Sequence, residues 1–165
     1  MTRAARASGG LLVFTLPEEE IASILVCGLS LSQVVTVTAA RLLEPSVEPR
    51  PHVLGIVRYK DAVAPVVDLL AALGLGATDY GRAERLLIAR GIGPGAVVAL
   101  PARADFTQVS ELGLFAAVPP EALLNAALLL GLYQFGARLL AVPDLDALAA
   151  CCQQTGARQA GLKHT

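Results

Sequence analysis

Apolar residues in this chain fall in short runs broken by glycine, proline and charge, the rhythm of short strands rather than long helices. Leu11 to Leu16 reads as a strand, Pro17 to Glu20 as a turn and Ile21 to Val26 as a second strand, so a hairpin opens the domain. Gly28 ends that run, and Leu29 to Val35 predicts one or two helical turns with Ser30 as N-cap, leading into a Thr/Val strand over Val34 to Thr38. Glu44 to Pro51 holds three prolines in eight residues. With the ladder donors missing it is a surface loop. Gly55 to Lys60 and Ala62 to Leu69 form the next hairpin, and Asp68 opens a short helix through Leu73 that Gly74 and Gly76 stop. The polar stretch Asp79 to Glu84 marks a seam between two lobes, near residues 76–84. Arg85 to Ala89 and Ala96 to Leu100 flank the turn Gly91-Ile92-Gly93-Pro94-Gly95. Pro101 to Glu111 reads as a helical turn and Val118 to Glu121 as a second proline-stiffened loop. Leu129 to Phe135 and Ala137 to Val142 make the closing hairpin, after which Asp144 caps a helix to about Cys152. Residues 1–10 and 153–165 have the composition of tails, leaving a single domain over 11–152.

Two of these hairpins are copies. With Gly55 set on Gly131, Ile56 faces Leu132, Tyr59 faces Phe135, Val66 faces Val142, Asp68 faces Asp144 and Leu69 faces Leu145, without a gap. Similar hairpins, each closed by Asp-Leu, predict a small barrel-like unit built twice.

Composition narrows the class. The 165 residues suffice for one domain or two small packed lobes. A net charge of −1 provides no basic field for phosphate backbones or an anionic bilayer, which argues against nucleic acid as a partner. Three cysteines, two of them adjacent (Cys151 and Cys152), fit a reducing cytoplasm better than a disulfide or zinc site. With 55% hydrophobic residues and a mean hydropathy of +0.60, membrane insertion has to be considered. Ile21 to Ala40 is twenty residues without a charge, but Ser23, Ser30, Ser32, Gln33, Thr36 and Thr38 interrupt it, so no span is expected. No signal peptide is expected at the start, since Leu11 to Leu16 is too short for the apolar region and Pro17-Glu18-Glu19-Glu20 follows it. Exposed patches for protein partners are the simplest account of the apolar excess.

The run Pro51 to Leu75, PHVLGIVRYKDAVAPVVDLLAALGL, resembles the signature of CheW-like domains: Pro-x-Val-Leu-Gly with two β-branched residues and Asn-Leu-Arg-Gly, then Pro-Val-Val-Asp-Leu and a Leu-Gly-Leu ending. Weaker similarity covers the opening strand, Leu-Ser-Gln-Val-Val, Val-Pro-Pro-Glu-Ala-Leu at 118–123 and the closing Asp-Leu-Asp-Ala-Leu, or roughly residues 11–150. The resemblance implies a mostly β fold of two small SH3-like five-stranded β-barrel subdomains with short helices and a C-terminal helix. It also implies an adaptor without catalysis or cofactor, coupling the cytoplasmic tip of a methyl-accepting chemoreceptor to a CheA-type histidine kinase or its type IV pilus counterpart. By motif position Val34, Val35, Gly55, Val57, Arg58 and Lys60 are then the contacts for a receptor hairpin, in a groove between the lobes and on the first barrel. The kinase's own CheW-like domain would dock on barrel ends.

Departures from the pattern gather at one turn. Arg58 stands where the family has Asn, Lys60 where it has Arg and Asp61 where it has Gly, and Ala102-Arg103 replaces Val-Asp. Lysine keeps arginine's charge but not its planar fork, so a bidentate contact to a carboxylate is not copied, and the partner specificity is expected to diverge. Gly55 and Gly131 also have a purely structural reading, close backbone approach in a barrel. Two other functions compete. One Asp per half, Asp68 and Asp144, resembles the shared carboxylate pair of an acid protease, although Asp-Leu-Leu and Asp-Leu-Asp lack the small turn such a pair needs and each Asp also fits a helix cap. Barrels rich in Leu and Val would also suit a carrier of apolar ligands. Gly91 to Gly95 lacks the Lys-Ser/Thr of a phosphate loop and any βαβ context.

Overall fold

The computed structural model describes residues 10–46, 50–110, 115–119 and 125–152. Both expected tails lie outside these residues apart from Gly10, as do residues 47–49 of the proline loop and residues 120–121 of the second loop.

Strand β1 (Leu11–Phe14) leads into a single helical turn, α1 (Glu19–Ala22), whose cap is Glu18, its side chain accepting from Ile21 N at 3.0 Å. Three consecutive glutamates sit at this helix start, where unpaired N–H groups favour negative charge. The second strand therefore begins later than the hydrophobic run suggests, and β2 spans Leu25–Ser30. It also runs through Gly28 instead of ending there. Gly28 pairs with Val13 through backbone alone, and a Cβ on it would stand 3.1 Å from the side chains of Leu11 and Leu140. A 3₁₀ turn at Leu31–Gln33 follows, with Ser30 at its N-cap position but its hydroxyl 2.9 Å from that of Ser32. Next come β3 (Val34–Ala39), β4 (Val53–Tyr59), β5 (Ala62–Val67), α2 (Leu69–Ala72), β6 (Arg85–Arg90) and β7 (Val97–Ala102). The helical turn expected in 101–111 is instead the end of β7 and a strand, β8 (Phe106–Val109). Its Phe-Thr-Gln-Val sequence suits a half-exposed pleat, and it takes the free edge of β1 in the register Phe106–Phe14. The chain closes with β9 (Leu129–Phe135), β10 (Arg138–Pro143) and α3 over residues 145–152. No helix among the described residues is long and apolar enough to cross a membrane.

The strands form two five-stranded SH3-like units, ordered β8-β1-β2-β10-β9 (lobe 1) and β3-β6-β7-β5-β4 (lobe 2). Residues 76–84, the seam suggested by composition, connect β5 to β6 within lobe 2, and the chain changes lobe at Leu31–Gln33 and between β7 and β8. The duplication extends well past the hairpins. Gly55 pairs with Val66 and Gly131 with Val142, each later pair matches in turn, and both hairpins carry a register shift at the same place. In each copy the hairpin's second strand lies parallel to another strand, β5 to β7 and β10 to β2. In each copy, too, the incoming segment donates to the residue after the glycine: Glu44 N to Ile56 O at 3.1 Å and Val118 N to Leu132 O at 2.8 Å. The unit is thus β3 to β7, and its second copy is β8-β9-β10-β1-β2, cut by the chain termini between its third and fourth strands.

Three cores result. Val57, Ala64, Val66, Leu86, Ile88 and Ala99 fill lobe 2, while Leu11, Val13, Val26, Leu140 and Val142 fill lobe 1. Between the lobes lies the largest core, to which the intervening positions of the same strands contribute, among them Leu87, Val98 and Leu100 from lobe 2 and Leu25, Cys27 and Leu29 from lobe 1. Strands buried on both faces need apolar residues at consecutive positions. Most of the apolar excess, expected at exposed patches, is used in this way.

Candidate partner-binding site

The six residues singled out by motif position divide into two groups and two environments. Val34 and Val35 start β3, one edge of lobe 2 in strand order, and Gly55, Val57, Arg58 and Lys60 lie on or beside β4, the other edge. Val57 is 2% exposed within the lobe 2 core, so its side chain is out of a partner's reach. Gly55 is buried as well. A Cβ there would meet Glu44 O at 2.7 Å, so its role is the close backbone approach that closes the sheet. Val34 is half buried against the inter-lobe core, whereas Val35, Arg58 and Lys60 are exposed.

The β4–β5 turn is distinctive in its backbone as well as its side chains. Lys60 has φ +54°, and the matching residue of the other hairpin is Gly136 with φ +62°. Lysine therefore occupies a conformation in which glycine carries no penalty. Its ammonium lies 5.4 Å from the Tyr59 ring centre, while Arg58 donates from Nε to Glu44 Oε2 at 3.0 Å. That ion pair is exposed and worth little in stability, about 0–1 kcal/mol.

A groove of about 380 Å³ opens where the lobes meet, where the resemblance implied one, but none of the six residues expected by motif position lines it. Leu11, Val142 and Leu145 of lobe 1 give it an apolar floor, and Leu130 forms part of its wall. Ser30, Ser32 and Gln33, in the segment that changes lobe just before Val34, line it together with Asp144, Asp146 and Ile92. Ile92 is 73% exposed and Leu130 45%, unusual for large aliphatic side chains that face a concavity.

Asp146 explains the glycine-rich turn. Its Oδ2 accepts from Ile92 N at 2.9 Å and its Oδ1 from Gly93 N at 2.7 Å, across 54 and 53 residues. A Cβ on Gly91 would stand 2.6 Å from Oδ1, so glycine there lets the carboxylate approach. The turn's N–H groups hold an anion belonging to the chain itself, as a helix N-terminus or backbone nest would. Asp68 and Asp144 are helix caps, accepting from Ala71 N and Ala147 N, each at 3.1 Å. Asp68 Oδ1 also takes Thr78 N at 3.0 Å and Thr78 Oγ1 at 2.7 Å. Opposing charges bridge the crossing segments: Glu84 accepts from Arg103 Nε and Ala104 N, each at 2.9 Å, which hold its carboxyl below the usual range. Cys27, in the inter-lobe core, is pushed up to about 12 by burial, the opposite of an activated nucleophile.

These features define a two-lobed β domain with an open groove, a set of capping carboxylates and an inert buried thiol. A model of the CheW-like domain matches residues 10–151, and the chain belongs to that family of non-enzymatic chemotaxis adaptors. Among solved structures, the crystal structure of the scaffolding protein TtCheW from Thermoanaerobacter tengcongensis is similar in fold. It has a TM-score of 0.64 at 19% identity, covering 86% of this chain and 87% of that one. A search of curated protein sequences gives no match.

Proposed function

We propose that this adaptor couples the cytoplasmic tip of a methyl-accepting chemoreceptor to a CheA-type histidine kinase, or to the kinase's type IV pilus counterpart, in the cytoplasm and by binding alone. The groove between the lobes carries this reading: two exposed aliphatic residues, Ile92 and Leu130, flank an apolar floor of Leu11, Val142 and Leu145. A receptor's helical hairpin offers a matching apolar ridge. Among the described residues two carboxylates and no cation line the groove, which favours a ridge that carries a Lys or Arg next to its apolar residues. Arg58 and Lys60, expected by motif position at the receptor contact, lie away from the groove lining beside the 48% exposed Val63, and we assign the kinase's CheW-like domain to this outer face of the β4–β5 hairpin instead. Both contacts fall in the class of small, transient interfaces of roughly 1,200 Å² or less, and a multivalent array compensates for their weakness.

Titrating a soluble receptor hairpin fragment and, separately, the kinase's CheW-like domain against wild type and Leu130→Arg tests this. The substitution is expected to weaken the receptor fragment at least tenfold, as for a charge placed in an apolar contact, on the order of 1.4 kcal/mol or more, and to leave the kinase domain's affinity unchanged. Failure of wild type to retain either partner would reject the coupling role.

A further inference from the structure

We propose that Asp146 is a positioning residue for the groove, holding Ile92 in place as its apolar anchor; this rests on the receptor reading above. Ile92 sits at the tip of a turn with three glycines and one proline, a composition that leaves the backbone many conformations. A side chain 73% exposed on such a tip would be mobile and would lose that freedom on binding. Asp146 removes the backbone's share of that freedom beforehand. Both its oxygens are used on consecutive N–H groups of the tip, at 2.9 and 2.7 Å, and it projects from the first turn of α3, whose cap Asp144 and next residue Leu145 also line the groove.

The bonds run from lobe 1 to lobe 2, so the same carboxylate fixes the turn against the opposite wall that holds Leu130. The glycine at 91 supports this geometry from the other side, since any side chain there would displace the carboxylate. An isoleucine presented rigidly binds without an ordering cost, which is the advantage of a preorganised anchor.

The test combines a double-mutant cycle with NMR. In an Ile92 background, Asp146→Asn, which loses one of the two acceptors, is expected to weaken a soluble receptor hairpin fragment by about five- to tenfold. In an Ile92→Ala background the same change should have no further effect. Independently of any partner, Asp146→Asn should speed amide exchange at Ile92 and Gly93 by about tenfold and lower the Ile92 methyl order parameter. Gly91→Ala, which breaks the clasp while keeping the carboxylate, should reproduce both effects. An equal loss of affinity in the Ile92→Ala background would show that Asp146 acts some other way and overturn the proposal. If wild type retains no receptor fragment, the receptor reading fails and the NMR decides the clasp alone: lost order at Ile92 sustains it, and unchanged order overturns it.

Discussion

Cys27 shows how much of this chain's chemistry is set by placement. The thiol is fully buried on β2 between the lobes, and burial penalises the thiolate, raising its ionisation from 9.0 to about 12. A raised folded value means that the folded state holds the proton more tightly, so this contribution is complete below pH 9 and is lost as pH climbs toward 12. Where the unfolded thiol is ionised, the loss approaches about 1.4 kcal/mol per pH unit. Urea unfolding between pH 7 and 10.5 should therefore fall more steeply above pH 9 for wild type than for Cys27→Ala, and parallel curves would contradict the burial assigned to this thiol. Sequence alone suggested packing for the cysteines, on number and adjacency, but gave no means of ranking them. For the left-handed backbone of Lys60 the sequence held one signal, the alignment of that lysine with Gly136 of the other hairpin.

Helix caps and turns were the most legible elements, because their signals are local. Asp-Leu at the end of each copied hairpin marked Asp68 and Asp144 as caps, and both are. Their different weights were not legible, since they depend on Thr78, ten residues on from Asp68. Asp144→Ala removes one capping bond and is expected to cost about 1 kcal/mol. Asp68→Ala also strands two Thr78 donors at a site only 7% exposed, for a total of about 2–4 kcal/mol. Chemical denaturation of both variants checks the order, and equal costs would mean that the Thr78 bonds add nothing net. Boundaries were lost where tertiary pairing overrode composition. Gly28 looked like a stop because glycine weakens strands, yet two leucines close over it. The Phe106–Val109 segment looked helical because the edge of β1 that receives it lies 92 to 98 residues away in sequence, from Phe14–Phe106 to Leu11–Val109.

At the scale of the whole molecule, the duplication was visible in the aligned hairpins, but its permutation was not, because the second copy draws two strands from the start of the chain. A groove between the lobes was implied by the resemblance, but its lining was hidden for the same reason: Leu11, Gln33, Ile92 and Leu130 share no local pattern, and only Ile92, a large aliphatic in a glycine turn, offered a hint. Comparison of the two copies also shows where the symmetry fails. Leu132 and Ala141, paired across β9 and β10, are 1% and 0% exposed in the inter-lobe core, and Leu139 packs against it. Their counterparts Ile56 and Pro65 are only half buried, and Val63 is exposed. Two lobes related by a closed twofold would bury the same face of both hairpins. Here the packing is heterologous, and the β4–β5 face is left without the cover its twin has, as expected at the end of a head-to-tail stack. On the function proposed above, the kinase's CheW-like domain would supply the lobe that covers this face. Ile56→Lys should then change stability by less than about 1 kcal/mol, the lysine stem lying along the surface, while weakening the kinase domain tenfold or more. Leu132→Lys, at the equivalent position, should unfold the protein, since it buries an unpaired charge at a cost of about 4 kcal/mol or more. Thermal denaturation separates the pair, and a fully stable Leu132→Lys variant would refute the asymmetry. Full kinase affinity in Ile56→Lys would place the docking surface elsewhere.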